Sequence, residues 1–262
     1  MRCGLGEKYV NRAMDCTGVT VHSMNNAYQK WPVFYASLPC VPSAAGTRTG
    51  QATNGEETKH RLISALWDHL ATMEHPFWNG CQSSVRSDFP IRVQRGMLGQ
   101  PQLMVGNNRG PSISFSEGGG RLWAALCADD SDVGFDVAGS DEFPSAYPVL
   151  RVFHPEELDH VLNLSGGVPE QASALLWSVK EAVVKALGCG FHLVDPRQIT
   201  VYPFEGETAG ERCGHTFMAG LSGKALMRFP LVGGCSLRVH SRPERRLWLS
   251  IALVNRKPSN HE

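Results

Sequence analysis

The chain has 262 residues, enough for one large domain or two small ones, and its 42% hydrophobic and 19% charged residues suit a globular protein with a real core. Lysine plus arginine and aspartate plus glutamate balance at 25 each, so no global field exists to capture nucleic acid or an anionic membrane, and any anion site must be local. The eight cysteines show no C-x-x-C and no Cys/His zinc spacing, which argues against a disulfide scaffold or structural zinc and for free thiols in a reducing cytosol. The opening "MRCGLGEKYVNRAMDC" lacks the apolar stretch of a secretory signal, and no run approaches the roughly 18 apolar residues of a membrane span. The expectation is a cytoplasmic protein with neither membrane nor nucleic acid as partner.

Residues 1–56 are weakly patterned, and "VPSAAGTRTGQATNGEE" reads as an exposed loop. An N-terminal half is expected over 57–130. It opens with a helix from Thr58, where Leu62, Leu66 and Leu70 recur at i, i+4 and i+8 with Ile63 and Trp67 alongside. Strand candidates follow: "IRVQRG", "PQLMVGN", "PSISFS", "RLWAALCA" and "DVGFDVAG". The second half, 131–262, continues with two helices. "HPEELDHVLNL" starts with Pro155 and two acids, and "PEQASALLWSVKEAVVKALG" runs from a proline to Gly188. "QITVYPFEG", "HTFMAGLSG", "CSLRVHSR" and "RLWLSIALV" read as closing strands. The order predicts an α+β fold of two halves meeting near residues 126–136, each a small mainly antiparallel sheet packed with helices. No clear internal sequence repeat is visible.

Within the second long helix, Trp177, Glu181 and Lys185 share one edge, and Leu175, Leu176, Val179, Val183, Ala186 and Leu187 form a broad apolar face. A surface Glu181–Lys185 pair is one reading. "VGFDVAG", however, sets Asp136 inside an apolar strand, where an unpaired carboxylate is costly. A strand Asp136 and a helix Glu181 that converge are suited to a hard cation such as Mg²⁺, whose shell substrate phosphates and water complete. Lys180 and Lys185 on the same helix would then neutralise phosphate oxygens.

"VGFDVAG" followed after about 45 residues by "WSVKEAVVKALGCG" resembles the signature of the 4′-phosphopantetheinyl transferases. "RVFHPEELDHVLN" and "GFHLVDPRQITV" are similar to that family's linking segment and helix exit. "GQPQLMV" and "PSISFSEGGGRLWAAL" look like altered forms of its Gly-Lys-Pro and Ser-His-Ser stretches. The resemblance covers roughly residues 92–255, and the length fits the surfactin-synthetase-activating type, a monomer of two pseudo-symmetric halves. It implies transfer of phosphopantetheine from coenzyme A to a serine of an apo acyl or peptidyl carrier protein, with release of 3′,5′-ADP. It also implies Mg²⁺ on Asp136 and Glu181, and Lys185 on a phosphate. Glu157 falls where the family carries a carboxylate that assists the base; a first-turn helix acid is its other reading, and Glu181 is a second candidate for the proton.

Three positions depart from the family pattern. Ala138 stands where a second strand acid is common, Gln100 replaces the lysine of Gly-Lys-Pro, and Phe115 replaces the histidine after Ser114. The last two affect the hold on the 3′-phosphate of coenzyme A. Ser114, the "EGGG" backbone, Arg109, Arg95 or the cluster Lys59-His60-Arg61 are the replacements the sequence offers. The alternative function is a catalytically impaired relative that binds coenzyme A or a carrier protein.

Overall fold

The computed structural model describes residues 19–24, 32–40, 50–72, 91–128, 131–144, 147–204, 214–230, 232 and 237–255. Among the described residues, two antiparallel sheets and four α-helices make an α+β fold. The first sheet holds β1 (Val21–Met24), β2 (Val33–Pro39), β3 (Ile91–Arg95), β4 (Pro101–Val105), β5 (Asn108–Gly118) and β6 (Arg121–Cys127), in the order β1-β2-β6-β5-β4-β3. The second holds β7 (Ser131–Gly139), β8 (Ile199–Pro203), β9 (His215–Leu221), β10 (Leu237–Glu244) and β11 (Leu247–Asn255), in the order β7-β11-β10-β9-β8. The helices are α1 (Gly50–Thr72), α2 (Pro155–Leu162), α3 (Pro169–Ala186) and α4 (Gly223–Arg228).

All nine predicted strand segments are strands here, with the change of sheet between Cys127 and Ser131. The weakly patterned N-terminal segment supplies two strands that the sequence did not announce. β2 lies inside the first sheet, between β1 and β6, with Val33, Phe34, Tyr35 and Ala36 fully buried. The helix expected from Thr58 begins at Gly50. The stretch expected as a loop at 41–57 therefore divides: 41–49 lies outside the described residues, and the rest is helix.

The same path is traced twice. A first strand (β2 or β7) leads into a long helix (α1 or α3). A four-strand meander follows, and its last strand returns beside the first, so that β2-β6-β5-β4-β3 matches β7-β11-β10-β9-β8. Three apolar clusters stack in layers. The leucine stripe of α1 packs on one face of the first sheet with Phe34, Ala36 and Leu126. The facing sides of the two sheets share Tyr35, Trp123, Phe135 and Leu249. The outer face of the second sheet packs on α3 through Val179, Val183 and Ala252. Tyr35 and Phe135, at like positions in the two halves, stack with ring centroids 5.9 Å apart.

A buried ion pair fixes α3 against its own half. Lys180 is 0% exposed and Glu157 2%, and Lys180 Nζ donates to Glu157 Oε2 at 2.8 Å, to the Pro196 carbonyl at 3.0 Å and to the Val152 carbonyl at 3.1 Å. Glu157 Oε2 also accepts from the His154 N–H at the start of α2, and Oε1 from the Val201 N–H on β8. All three ammonium protons and both carboxylate oxygens are used, which is the condition for a buried pair to be tolerated. One pair thus ties α2, α3, β8 and the turn at Val152 together. Lys180→Met or Glu157→Gln leaves a buried charge alone, and each should cost about 3–5 kcal/mol by chemical denaturation. The double variant should lose clearly less than the sum of the two; additive losses would show that the two groups act separately.

Candidate active site

Asp136 sits in the middle of β7 at 5% exposure, and two side-chain contacts hold its carboxylate. Ser116 on β5 donates its hydroxyl to Asp136 Oδ1 at 2.8 Å, and Lys185 Nζ on α3 donates to the same oxygen at 2.6 Å. Glu181, one turn before Lys185, lies 3.9 Å from its ammonium group. The surface-pair reading of Glu181 and Lys185 therefore describes only the looser of two contacts. α3 reaches this close because Gly134 lies beneath it: a Cβ there would run into the Ala182 carbonyl and the Ala186 N–H. The helix then ends in a Schellman turn. Gly188 at φ +74 returns its N–H to the Lys185 carbonyl at 3.0 Å, and the Cys189 N–H reaches the Val184 carbonyl at 2.9 Å. That turn fixes the last helical residues and so the base of the Lys185 side chain.

The electrostatics are those of an anionic pair short of positive charge. The Glu181 carboxyl is pushed up to about 7, first by burial, then by the Asp136 charge, with Lys185 pulling the other way. Glu142, just after β7, is raised as well, by burial and by Asp136 and Asp141, against a hydrogen bond from the Gly139 N–H. Sequence reasoning missed Glu142; the only signal was an acid four residues past the alanine at 138. Among the described residues no three Asp, Glu, His or Cys side chains form a group that could hold a metal ion. The donor set here is two carboxylates, Asp136 and Glu181. It fits a cation that takes one or two carboxylates and completes its shell with phosphate and water, as Mg²⁺ does.

Lys185 also belongs to the wall of a cavity of about 770 Å³ between the halves. The other side of that cavity carries Lys59, Arg92, Arg95 and His60 from α1 and β3. Gln100 and Phe115 line it too, and Gly188 is so close to Gln100 that a Cβ there would meet its Oε1 at 2.9 Å. Ser114 reaches the same wall while its Oγ accepts the Phe135 N–H at 3.1 Å, so it joins the two sheets as well as facing the cavity.

The remaining sequence candidates fall elsewhere. Lys180, expected on a phosphate, lies on the far side of α3 from Lys185 in its bond with Glu157. Glu157, expected to assist the base, has both oxygens committed inside the core, which favours its first-turn reading. Arg109 pairs with Asp132 at 2.8 Å and does not line the cavity; nor does Arg61.

The family model of the 4′-phosphopantetheinyl transferase superfamily matches residues 132–224, the stretch from β7 to the start of α4 that contains Asp136, Glu181 and Lys185. The match supports the superfamily, and with it phosphopantetheinyl transfer as the general chemistry. No curated protein matches the chain. Among the described residues no helix is long and apolar enough to cross a membrane.

The raised Glu181 has a sign that can be tested. Between an unfolded value near 4.5 and a folded value of about 7, the folded protein holds a proton that the unfolded chain releases. This group's contribution to stability therefore declines as pH rises through that window. Without divalent cations, Glu181→Gln should be more stable than the parent by roughly 1–3 kcal/mol at pH 8, and the gap should close towards pH 5. Melting curves of the two proteins across pH check it, and a gap independent of pH would show that Glu181 does not carry this charge.

Proposed function

We propose that this chain transfers the 4′-phosphopantetheine group of coenzyme A to a serine of an apo acyl or peptidyl carrier protein, with Mg²⁺, releasing 3′,5′-ADP. The observation that carries the reading is Lys185, which touches the Asp136–Glu181 pair and also lines the basic cavity between the halves. Asp136 and Glu181 would hold Mg²⁺, which when bound supplies the charge that opposes a pyrophosphate. Lys185 then turns from Asp136 to a phosphate oxygen. Lys59, Arg92 and Arg95 supply cations that Gln100 and Phe115 do not, and the Ser114 hydroxyl adds a donor. In the reaction the serine oxygen bonds to phosphorus, the bond to 3′,5′-ADP breaks, and the serine proton leaves. With Glu157 committed to Lys180, Glu181 would take that proton. One chain supplies both cavity walls, which supports a monomer as the acting form.

The departures at Gln100, Phe115 and Ala138 favour a second reading, in which the cavity binds coenzyme A without transfer. Incubating the protein with coenzyme A, Mg²⁺ and a panel of apo carrier proteins, then weighing the carriers, separates the two. A gain of one phosphopantetheine marks the transferase; binding of coenzyme A without any gain marks the binding module. Asp136→Ala and Glu181→Gln should each abolish transfer. By calorimetry, Mg²⁺ should bind weakly alone and tightly with coenzyme A present. Lys185→Ala should weaken coenzyme A by roughly 1.5–3 kcal/mol, the worth of a charge-assisted hydrogen bond. Unchanged affinity and full activity would return Lys185 to a structural ion pair with Asp136.

A further inference from the structure

A second cavity, of about 850 Å³, shares no wall residue with the first. It lies where the β5–β6 and β10–β11 hairpins approach β2 and the end of β7, and its wall carries Tyr35, Arg121, Arg245 and Arg246. Two features there run against stable folding. Tyr35 is 1% exposed, and its hydroxyl has no hydrogen-bond partner among the described residues. A buried polar group left in that state is costly. Arg245 has φ +59 and, among the described residues, is the one non-glycine with a positive φ. The matching β5–β6 turn gives its left-handed positions to Gly119 and Gly120, at φ +59 and +69, where no Cβ is strained.

The two features meet at one cavity, and each has a simple remedy the chain does not use: phenylalanine at 35, glycine at 245. Their common effect is to place hydrogen-bond donors. Burial pushes the Tyr35 hydroxyl up to about 12, so it keeps its proton to donate. Arg121 is held by two bonds to Ser37, at 2.9 Å and 3.0 Å, which orients its guanidinium before any ligand arrives. Against these arginines the wall sets Asp141 and Glu244, and Glu244 is already paired with Arg242 at 3.0 Å. Arg242 lies over the Tyr35 ring at 4.9 Å, and its Nε is also buried without a partner among the described residues. Donors and positive charge outnumber acceptors.

We propose that this second cavity is a binding site for a small, multiply charged anion, phosphate- or carboxylate-bearing, held by the Tyr35 hydroxyl and the guanidinium groups of Arg121, Arg245 and Arg246. The inference does not depend on what the first cavity does. Calorimetric titration of the full chain with inorganic pyrophosphate, and separately with citrate, tests it. Arg245→Gly and Tyr35→Phe should each raise the dissociation constant at this site roughly tenfold or more. Both should also raise the melting temperature without ligand, since each removes a strain, and this rise shows that the variants fold. Arg95→Ala, in the first cavity, should leave the site intact. Loss with pyrophosphate alone assigns a phosphate ligand, and loss with citrate alone a carboxylate. Binding of neither probe overturns the proposal, as does binding that both variants keep and Arg95→Ala removes.

Discussion

Three serine hydroxyls on one strand make two sheets into one molecule. β7 ends its sheet, and among the described residues its outer edge has no neighbouring strand. Ser112, Ser114 and Ser116 on β5 take that place, accepting the N–H groups of Val133, Phe135 and Val137 at 2.9 Å, 3.1 Å and 3.1 Å. Apolar packing between the sheets tolerates sliding, but hydrogen bonds at every second residue do not. The seam satisfies donors that would otherwise be buried alone, and it sets the register of β7. Register decides the chemistry here, because the Ser116 hydroxyl that receives Val137 also donates to Asp136. A slip of one residue would turn Asp136 into the apolar layer between the sheets and put Phe135 under α3.

The helix above the seam is held on two sides for different reasons. On one side its backbone rests on Gly134, with no side chain between. On another, Lys180 is drawn into the core by Glu157 and two carbonyls. Successive helical residues are about 100° apart, so Lys180 and Glu181, adjacent in sequence, serve separate purposes. The first anchors the helix, and the second stands at its half-buried edge beside Lys185. A lysine–glutamate doublet in an apolar helix thus unites a clamp and a candidate ligand, and the precision of the second depends on the rigidity of the first.

Much of this was legible in the sequence, and the exceptions have physical causes. The leucine stripe of α1 declared itself because that helix buries one face, and β3 to β11 showed as short alternating or apolar runs between turn residues. Asp136, Glu181 and Lys185 stood out as charges among apolar neighbours. β1 and β2 did not, because "VHSM" is short, "VFYASLP" does not alternate, and both are set among polar, proline- and glycine-bearing residues. The sequence "GQATNGEE" at the start of α1 has no repeating apolar residue, so periodicity could not extend the helix back to Gly50. Lys180 was misread for want of its partner, 23 residues away and on another helix. A signal was present: Leu176, Val183, Val184 and Leu187 surround it at helical spacing, which marks a buried lysine rather than one free to meet a ligand. The serine seam was visible as "SISFS", but a polar stripe on a strand does not say which edge it will serve.

The repeated topology has a consequence for stoichiometry. The strand that matches β7 is β2, and the residues it turns towards its own helix are Phe34 and Ala36. Neither offers a carboxylate, so the scaffold presents two equivalent seats and equips one. The unequipped half is not idle, for it lends Lys59, Arg92 and Arg95 to the cavity that Lys185 completes. Each half thus holds what the other lacks, as the subunits of a heterodimer would. Joining them in one chain makes their ratio one to one at any dilution and limits each molecule to a single complete site of this kind.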